Sequence, residues 1–134
     1  MKNQLFDLTK KVSLITGGNG GIGLGMAKGL ASCGSDIAII GRNIEKNSKA
    51  KEELSEFDVR VETYSIDVSN EEDVKKTVLN VVNDFGRIDA VFANAGMNLY
   101  GGSFEHMDTD VYRKVLAVNL DGVFFTLREV CKHM

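Results

Sequence analysis

Short apolar runs alternate with longer stretches of helical period along the chain. Lys11–Thr16 (KVSLIT) is compact, apolar and β-branched, which suits a buried strand. Gly17 to Gly21 breaks that pattern. Ile22–Cys33 then reads as a helix with Ile22, Met26, Ala27 and Leu30 on its inward face, and Gly34 is placed to end it. Ser35–Ile40 is a second apolar run. Glu45–Phe57 reads as a helix that is polar over most of its surface, and Val59–Ile66 alternates as a third strand. Ser69 followed by Glu72 has the form of a capping box. The helix it opens carries Val74, Val78, Val81, Val82 and Phe85 and stops at Gly86. Ile88–Ala93 is a fourth strand. After an irregular stretch, Asp108 or Thr109 caps a last helix that runs towards Met134.

The predicted order is β-α-β-α-β-α-β-α. Strands this short and continuously apolar belong to a parallel sheet covered by helices on both faces. Right-handed crossovers give the strand order 3-2-1-4. The fold class is therefore α/β, a Rossmann-like sheet of about four strands that is incomplete as a doubly wound fold. Residues 1–134 read as a single domain without linker, repeat or low-complexity segment.

Composition narrows the possible functions. The net charge of −3 advertises no nucleic-acid partner. No run approaches the ~18 apolar residues of a membrane span, and Met1 to Thr9 has no apolar segment of the kind a signal peptide carries. Two cysteines, Cys33 and Cys131, make no disulfide framework, so a cytoplasmic protein with reduced thiols is expected. They are scattered relative to His106 and His133, and no metal site is expected. The charges from Lys46 to Glu56 read as the solvated face of the second helix.

Glycine is the unusual component. Seven of the 14 glycines fall between Gly17 and Gly29. Thr16-Gly-Gly-Asn-Gly-Gly-Ile-Gly23 lies between a strand and a helix, where glycines let backbone N–H groups approach a pyrophosphate and the helix N-terminus adds positive charge. Two registers fit: Gly18, Gly20 and Gly23 match G-x-G-x-x-G, whereas Gly17, Gly21 and Gly23 match T-G-x-x-x-G-x-G. A Walker turn is excluded because no Gly-Lys-Ser/Thr follows. Beyond the second strand, where dinucleotide folds place an acid for the ribose hydroxyls, the chain has Ile40-Gly41-Arg42-Asn43. A guanidinium there can pair a 2′-phosphate, which favours NADP(H) over NAD(H). The alternative is a solvated loop arginine.

Four landmarks in order and spacing make the chain resemble the short-chain dehydrogenase/reductase family, in the branch whose glycine motif is T-G-x-x-x-G-I-G. The first is Thr16–Gly23, with Gly17, Asn19, Gly21, Ile22 and Gly23 at the cofactor. Asp67-Val68 after the third strand is similar to the family's acidic pair beside the adenine. Ala93-Asn94-Ala95-Gly96 is similar to its N-N-A-G, with Ala93 in place of the first Asn. Asn119, within Val118-Asn-Leu-Asp-Gly-Val123, is similar to the helix asparagine of its catalytic relay, whose amide holds a bulged helix. The opening Leu5–Val12 has the family's character as well. Each landmark also has a plainer reading. Asp67 could be a turn residue, Asn94–Gly96 a strand-end turn, and Asn119 a core amide bonded to a main-chain carbonyl.

The resemblance implies hydride transfer between NADP(H) or NAD(H) and a small-molecule carbonyl or alcohol. It also implies a Tyr-x-x-x-Lys pair and a serine upstream of it. None of the three tyrosines fits: Tyr64 is followed four residues on by Val68, Tyr100 by Phe104 and Tyr112 by Leu116. The chain by itself is therefore expected to be inactive, the domain being truncated before the catalytic segment. A non-catalytic dinucleotide-binding or assembly module is the alternative, and a Rossmann-like methyltransferase fits the landmarks least. The last helix carries two apolar stripes, Val111, Val115, Val118, Gly122 and Phe125, and Leu116, Leu120, Val123, Leu127 and Val130. One can cover the sheet. The other wants a partner, either a second subunit in a homo-oligomer or a C-terminal half. The fourth strand should leave an open edge, prone to association. The stretch 98–106 could line the mouth of a site but names no substrate.

Overall fold

The computed structural model describes residues 4–98 and 102–134. Four parallel strands form one sheet: β1 (Val12–Thr16), β2 (Asp36–Ile40), β3 (Val61–Tyr64) and β4 (Ala90–Ala93). They lie in the order β3-β2-β1-β4. In the register, Leu14 stands beside Ala38 and Val91, and Ile39 beside Thr63. The helices are α1 (Gly21–Ser32), α2 (Ile44–Leu54), α3 (Glu71–Phe85), α4 (Thr109–Leu116) and α5 (Gly122–Cys131).

The pleat sorts the strand residues between two cores. Ile15, Ile37 and Ile39 face α1 and α2, where Ala27, Ala31, Ala50 and Leu54 meet them. Leu14, Ala38 and Ile40 face the other way, against Val74, Val78 and Val81 of α3, Val130 of α5 and Val118 just before it. Full burial of such an aliphatic side chain contributes about 1.5–3 kcal/mol, and two-sided burial is why these strands read as unbroken apolar runs. At the opposite end from the glycine turn, Asp89 ties β1 to β4. Its carboxylate accepts from Val12 N–H at 2.9 Å, from Arg87 Nε at 2.8 Å and from Lys11 Nζ at 3.2 Å. Arg87 first, then Val12 N–H and Lys11, hold its carboxyl well below the usual carboxylate range.

The sequence pattern misplaces some details. The inward face of α1 is Gly23, Ala27 and Ala31, while Ile22 is 75% exposed and Met26 sits at the surface. The fully buried positions of the helix are small ones, and Leu24 and Leu30 pack at their sides. α3 is capped by Asn70, whose side chain accepts from Asp73 N–H at 3.2 Å, and not by Ser69. The Ser69 hydroxyl is engaged by Asp67 instead, at 2.7 Å. The last helix is not continuous. A π-helical segment, Ala117–Asp121, separates α4 from α5. Its extra residue per turn rotates everything beyond it, so stripes read at a constant period lose their alignment. Val118, Gly122, Thr126, Glu129 and Val130 turn inward, whereas Leu120, Phe124 and Leu127 stay exposed. Among the described residues β4 is an edge strand, and no helix is long and apolar enough to cross a membrane.

Candidate functional site

All four strands point their carboxyl ends at one cleft, the place where open α/β sheets take ligands. β1 ends at Thr16, and the chain must turn sharply to enter α1. Gly17 makes that turn with φ +67°, and its N–H donates to Ile40 O at 2.7 Å. A Cβ on Gly17 would lie 3.0 Å from Ala95 Cα, and one on Gly23 only 2.1 Å from Gly17 O. These two positions therefore exclude side chains for steric reasons. Asn94 stitches the turn to the end of β4: its Nδ2 donates to Thr16 O at 3.1 Å and Gly17 O at 3.4 Å. Ala95 N–H donates to Thr16 Oγ1 at 2.9 Å. The N-cap of α1 is Gly20, which has no side chain to cap the first turn. The helix thus presents backbone N–H groups and its positive end to the cleft.

The next strand end supplies charge. Arg42 follows Gly41 and stands with Nη1 3.7 Å from Asp67 Oδ2. Both side chains are exposed, so the pair contributes little to stability. Burial alone would raise the Asp67 carboxyl. The N–H and hydroxyl of Ser69, with Arg42, outweigh that and hold it below its usual value. Asp67 thus serves as the turn residue of the plainer reading and also faces the cleft. Val68 is buried beneath Gly122, where a Cβ would come within 2.7 Å of Val68 Cγ2.

The cleft is about 490 Å³, and the site residues expected from the sequence line it with the exception of Asn119: Gly17, Asn19, Gly21, Ile22, Gly23, Arg42, Asp67, Val68, Asn94, Ala95 and Gly96. It runs from Arg42 at the β2 end, past the glycine turn, to Asn94–Gly96 at the β4 end. Lys46 and Val118 also line it. Lys46 is exposed, as the solvated-face reading expects, and also borders the cleft. It occupies the first turn of α2, one helical turn past the cap Asn43, and a second cation beside Arg42 at that spacing was the available signal. Asn119 sits in the π-helical segment and grips Met97 at two points: Oδ1 accepts from Met97 N–H at 2.8 Å, and Nδ2 donates to Met97 O at 3.0 Å. That geometry has the main-chain bonding of the plainer reading, but Asn119 is exposed and is not a core amide.

No described tyrosine lines the cleft. Tyr64 donates to Asp84 at 2.6 Å, and burial, then Asp84, push its phenol above the usual range. Tyr112 is exposed on α4. Tyr100 lies outside the described residues, as do the other residues of 99–101. No cluster of three potential metal ligands occurs among the described residues.

The shape and donors fit a dinucleotide: a cradle that a Cβ would fill, backbone N–H groups at a helix start, and cations at one end. The sequence profile of the short chain dehydrogenase family matches residues 11–134. The chain belongs to that family. Sorbose reductase sou1 of Schizosaccharomyces pombe is 35% identical over 131 residues, covering 96% of this chain and 51% of that protein. The NADP-dependent mannitol dehydrogenase of Hypocrea jecorina is 36% identical, covering 96% of this chain and 50% of its own. The crystal structure of NAD+-bound xylitol dehydrogenase superposes with a TM-score of 0.88 at 40% identity, covering 95% of this chain and 49% of the other. The chain thus spans about half the length of the relatives it matches, and it corresponds to the N-terminal portion of these oxidoreductases. The four-stranded order 3-2-1-4 is that of their Rossmann folds.

Proposed function

We propose that residues 1–134 form one dinucleotide-binding domain, preceding the catalytic Tyr/Lys segment, of an oxidoreductase that prefers NADP(H) to NAD(H). The continuous cleft along the strand ends, basic where β2 stops and glycine-built where β1 stops, carries this reading. Gly21, Gly23 and the first turn of α1 would take the pyrophosphate on backbone N–H groups, and Gly17, its own N–H held by Ile40 O, would make the close turn that lets it approach. Ile22 would cover it. Arg42 would hold a 2′-phosphate bidentately. Asp67 and Val68 would border the adenine, and Asn94, Ala95 and Gly96 would let the second ribose lie against bare backbone. A bound nicotinamide would supply hydride chemistry, giving a hydride to a carbonyl substrate in its reduced form or taking one from an alcohol in its oxidised form, on a small or carrier-bound molecule. Asn119, by gripping Met97, would hold the π-helical segment in register for a proton relay.

The family's Tyr-x-x-x-Lys is absent from the chain, so it is proposed to bind cofactor without turnover. NADPH with a panel of ketones should give no turnover above blank; robust turnover would overturn this part. The exposed Leu120, Phe124 and Leu127 support self-association through the last helix, and the two free thiols are in keeping with a cytoplasmic setting. Calorimetric titration tests the cofactor assignment. NADP is expected to bind more tightly than NAD, and Arg42→Ala to weaken NADP by about tenfold or more while leaving NAD within about twofold. Tighter binding of NAD to the unaltered chain would count against the assignment of Arg42.

A further inference from the structure

Asn47 occupies an unexpected place in α2. It is 3% exposed and shares its helix face with Ala50 and Leu54, which are 1% and 0% exposed. An apolar residue would fill that space at no polar cost. A buried amide costs free energy unless its donors and acceptors are matched, and here they are matched in two directions. Nδ2 donates to Gly41 O at 2.9 Å, at the end of β2. Oδ1 accepts from Asn19 Nδ2 at 2.7 Å, at the tip of the glycine turn. Gly41 makes the meeting possible, since a Cβ there would lie 2.3 Å from Asn19 Nδ2 and 2.7 Å from Asn47 Oδ1.

Asn19 is the single residue of Gly17–Gly21 that carries a side chain. The four glycines around it have the largest conformational freedom of any residues to lose. Asn94 holds the start of that turn by its main chain at Gly17 O; a hold on the tip through one of the turn's own side chains can act only at Asn19. We propose that Asn47 is a positioning residue for the phosphate turn. Through Asn19 it fixes the backbone N–H groups of the turn in their anion-facing arrangement before the ligand arrives, and it anchors that arrangement to the β2 end where Arg42 begins. Prior ordering lowers the entropic cost of binding. The proposal rests on the dinucleotide reading only for its consequence for affinity; the ordering of the turn stands without a ligand.

Two variants and two readouts test it. In the ligand-free protein, Asn47→Leu is expected to speed amide exchange across 17–23 by about tenfold, the effect of losing one hydrogen bond. Exchange in β1 and α3 should be unchanged. With ligand, Asn47→Leu should bind NADP about tenfold more weakly. Adenosine 2′-phosphate, which lacks the pyrophosphate, should bind as before. Asn19→Ala, which removes the same contact from the turn side without touching the core, should reproduce both effects. The double variant should be no worse than either single one. Unchanged exchange in the turn, additive losses, or equal weakening of both ligands would overturn the proposal. Failure of the unaltered protein to bind NADP would instead overturn the dinucleotide reading, and the exchange measurement would still decide the role of Asn47.

Discussion

Gly23→Ala is the sharpest perturbation of the turn. The added Cβ would stand 2.1 Å from Gly17 O, 2.8 Å from Gly17 C and 2.7 Å from Asn94 Nδ2. A carbon–oxygen contact needs about 3.3 Å, so the turn and the start of α1 must part by about 1 Å. Backbone lies on both sides of the clash, which removes the usual relief by a rotamer change. Overpacking of this kind costs about 1–3 kcal/mol. Displacing Asn94 from Thr16 O and Gly17 O adds about 1 kcal/mol. Alanine returns about 0.5–1 kcal/mol through helix propensity, so the net loss is about 1–3.5 kcal/mol, centred on about 2 kcal/mol. With a urea slope of about 1–3 kcal/mol/M, the unfolding midpoint should fall by about 1 M. Gly25→Ala is the matched control. It lies in the same helix with nothing within 4 Å of its Cβ, and it should stabilise by about 0.5–1 kcal/mol. A Gly23→Ala chain within about 0.5 kcal/mol of the original, or equal losses at both positions, would refute the close approach of α1 to the turn.

Other consequences follow from the contacts between strand ends. The Asp89 carboxyl is depressed below its unfolded value, so its contribution is present above about pH 4 and is lost as pH falls towards the folded-state value. Asp89→Asn should cost about 1.5–3 kcal/mol at neutral pH. It should also flatten the fall in urea midpoint between neutral and acid pH; an unaltered acid profile would contradict this role. Asn119→Ala removes both bonds to Met97 and should cost about 1 kcal/mol, with faster amide exchange at Met97. Asn119→Asp should keep that amide slow, since it retains the acceptor. Leu120→Glu should lower the solution mass measured by light scattering if the exposed face formed by Leu120 of the π-helical segment with Phe124 and Leu127 of α5 is the contact between copies; an unchanged mass would place the contact elsewhere.

Much of this architecture was legible in the sequence because parallel strands buried on both faces leave a plain signal. Leu14, Ile37 and Ile39 could hardly be read otherwise, and the Gly17–Gly23 turn follows directly from its place between strand and helix. Three features escaped because they depend on tertiary distances. On the inward face of α1 the pattern places Ala27 and Leu30 correctly, but Gly23 and Ala31 are buried where it puts Ile22 and Met26. The cap of α3 was assigned to Ser69, whose hydroxyl Asp67 had already engaged. The two stripes of the last helix assumed one period across Ala117–Asp121, where the π-helical segment changes it. Lys46 and Asn47 were hidden for a different reason. In a helix as polar as α2, a cation that turns to the cleft and an amide that turns to the core look like neighbours on a solvated face.

The central claim is that the strand ends form one dinucleotide site biased towards NADP. Backbone amide chemical-shift changes on titration with NADP test it most directly. The account expects changes at 17–23, 41–46, 66–68 and 94–96, saturating together, with Arg42 and Lys46 moving less when NAD replaces NADP. Saturable changes confined to other surfaces, or none at millimolar NADP, would contradict it.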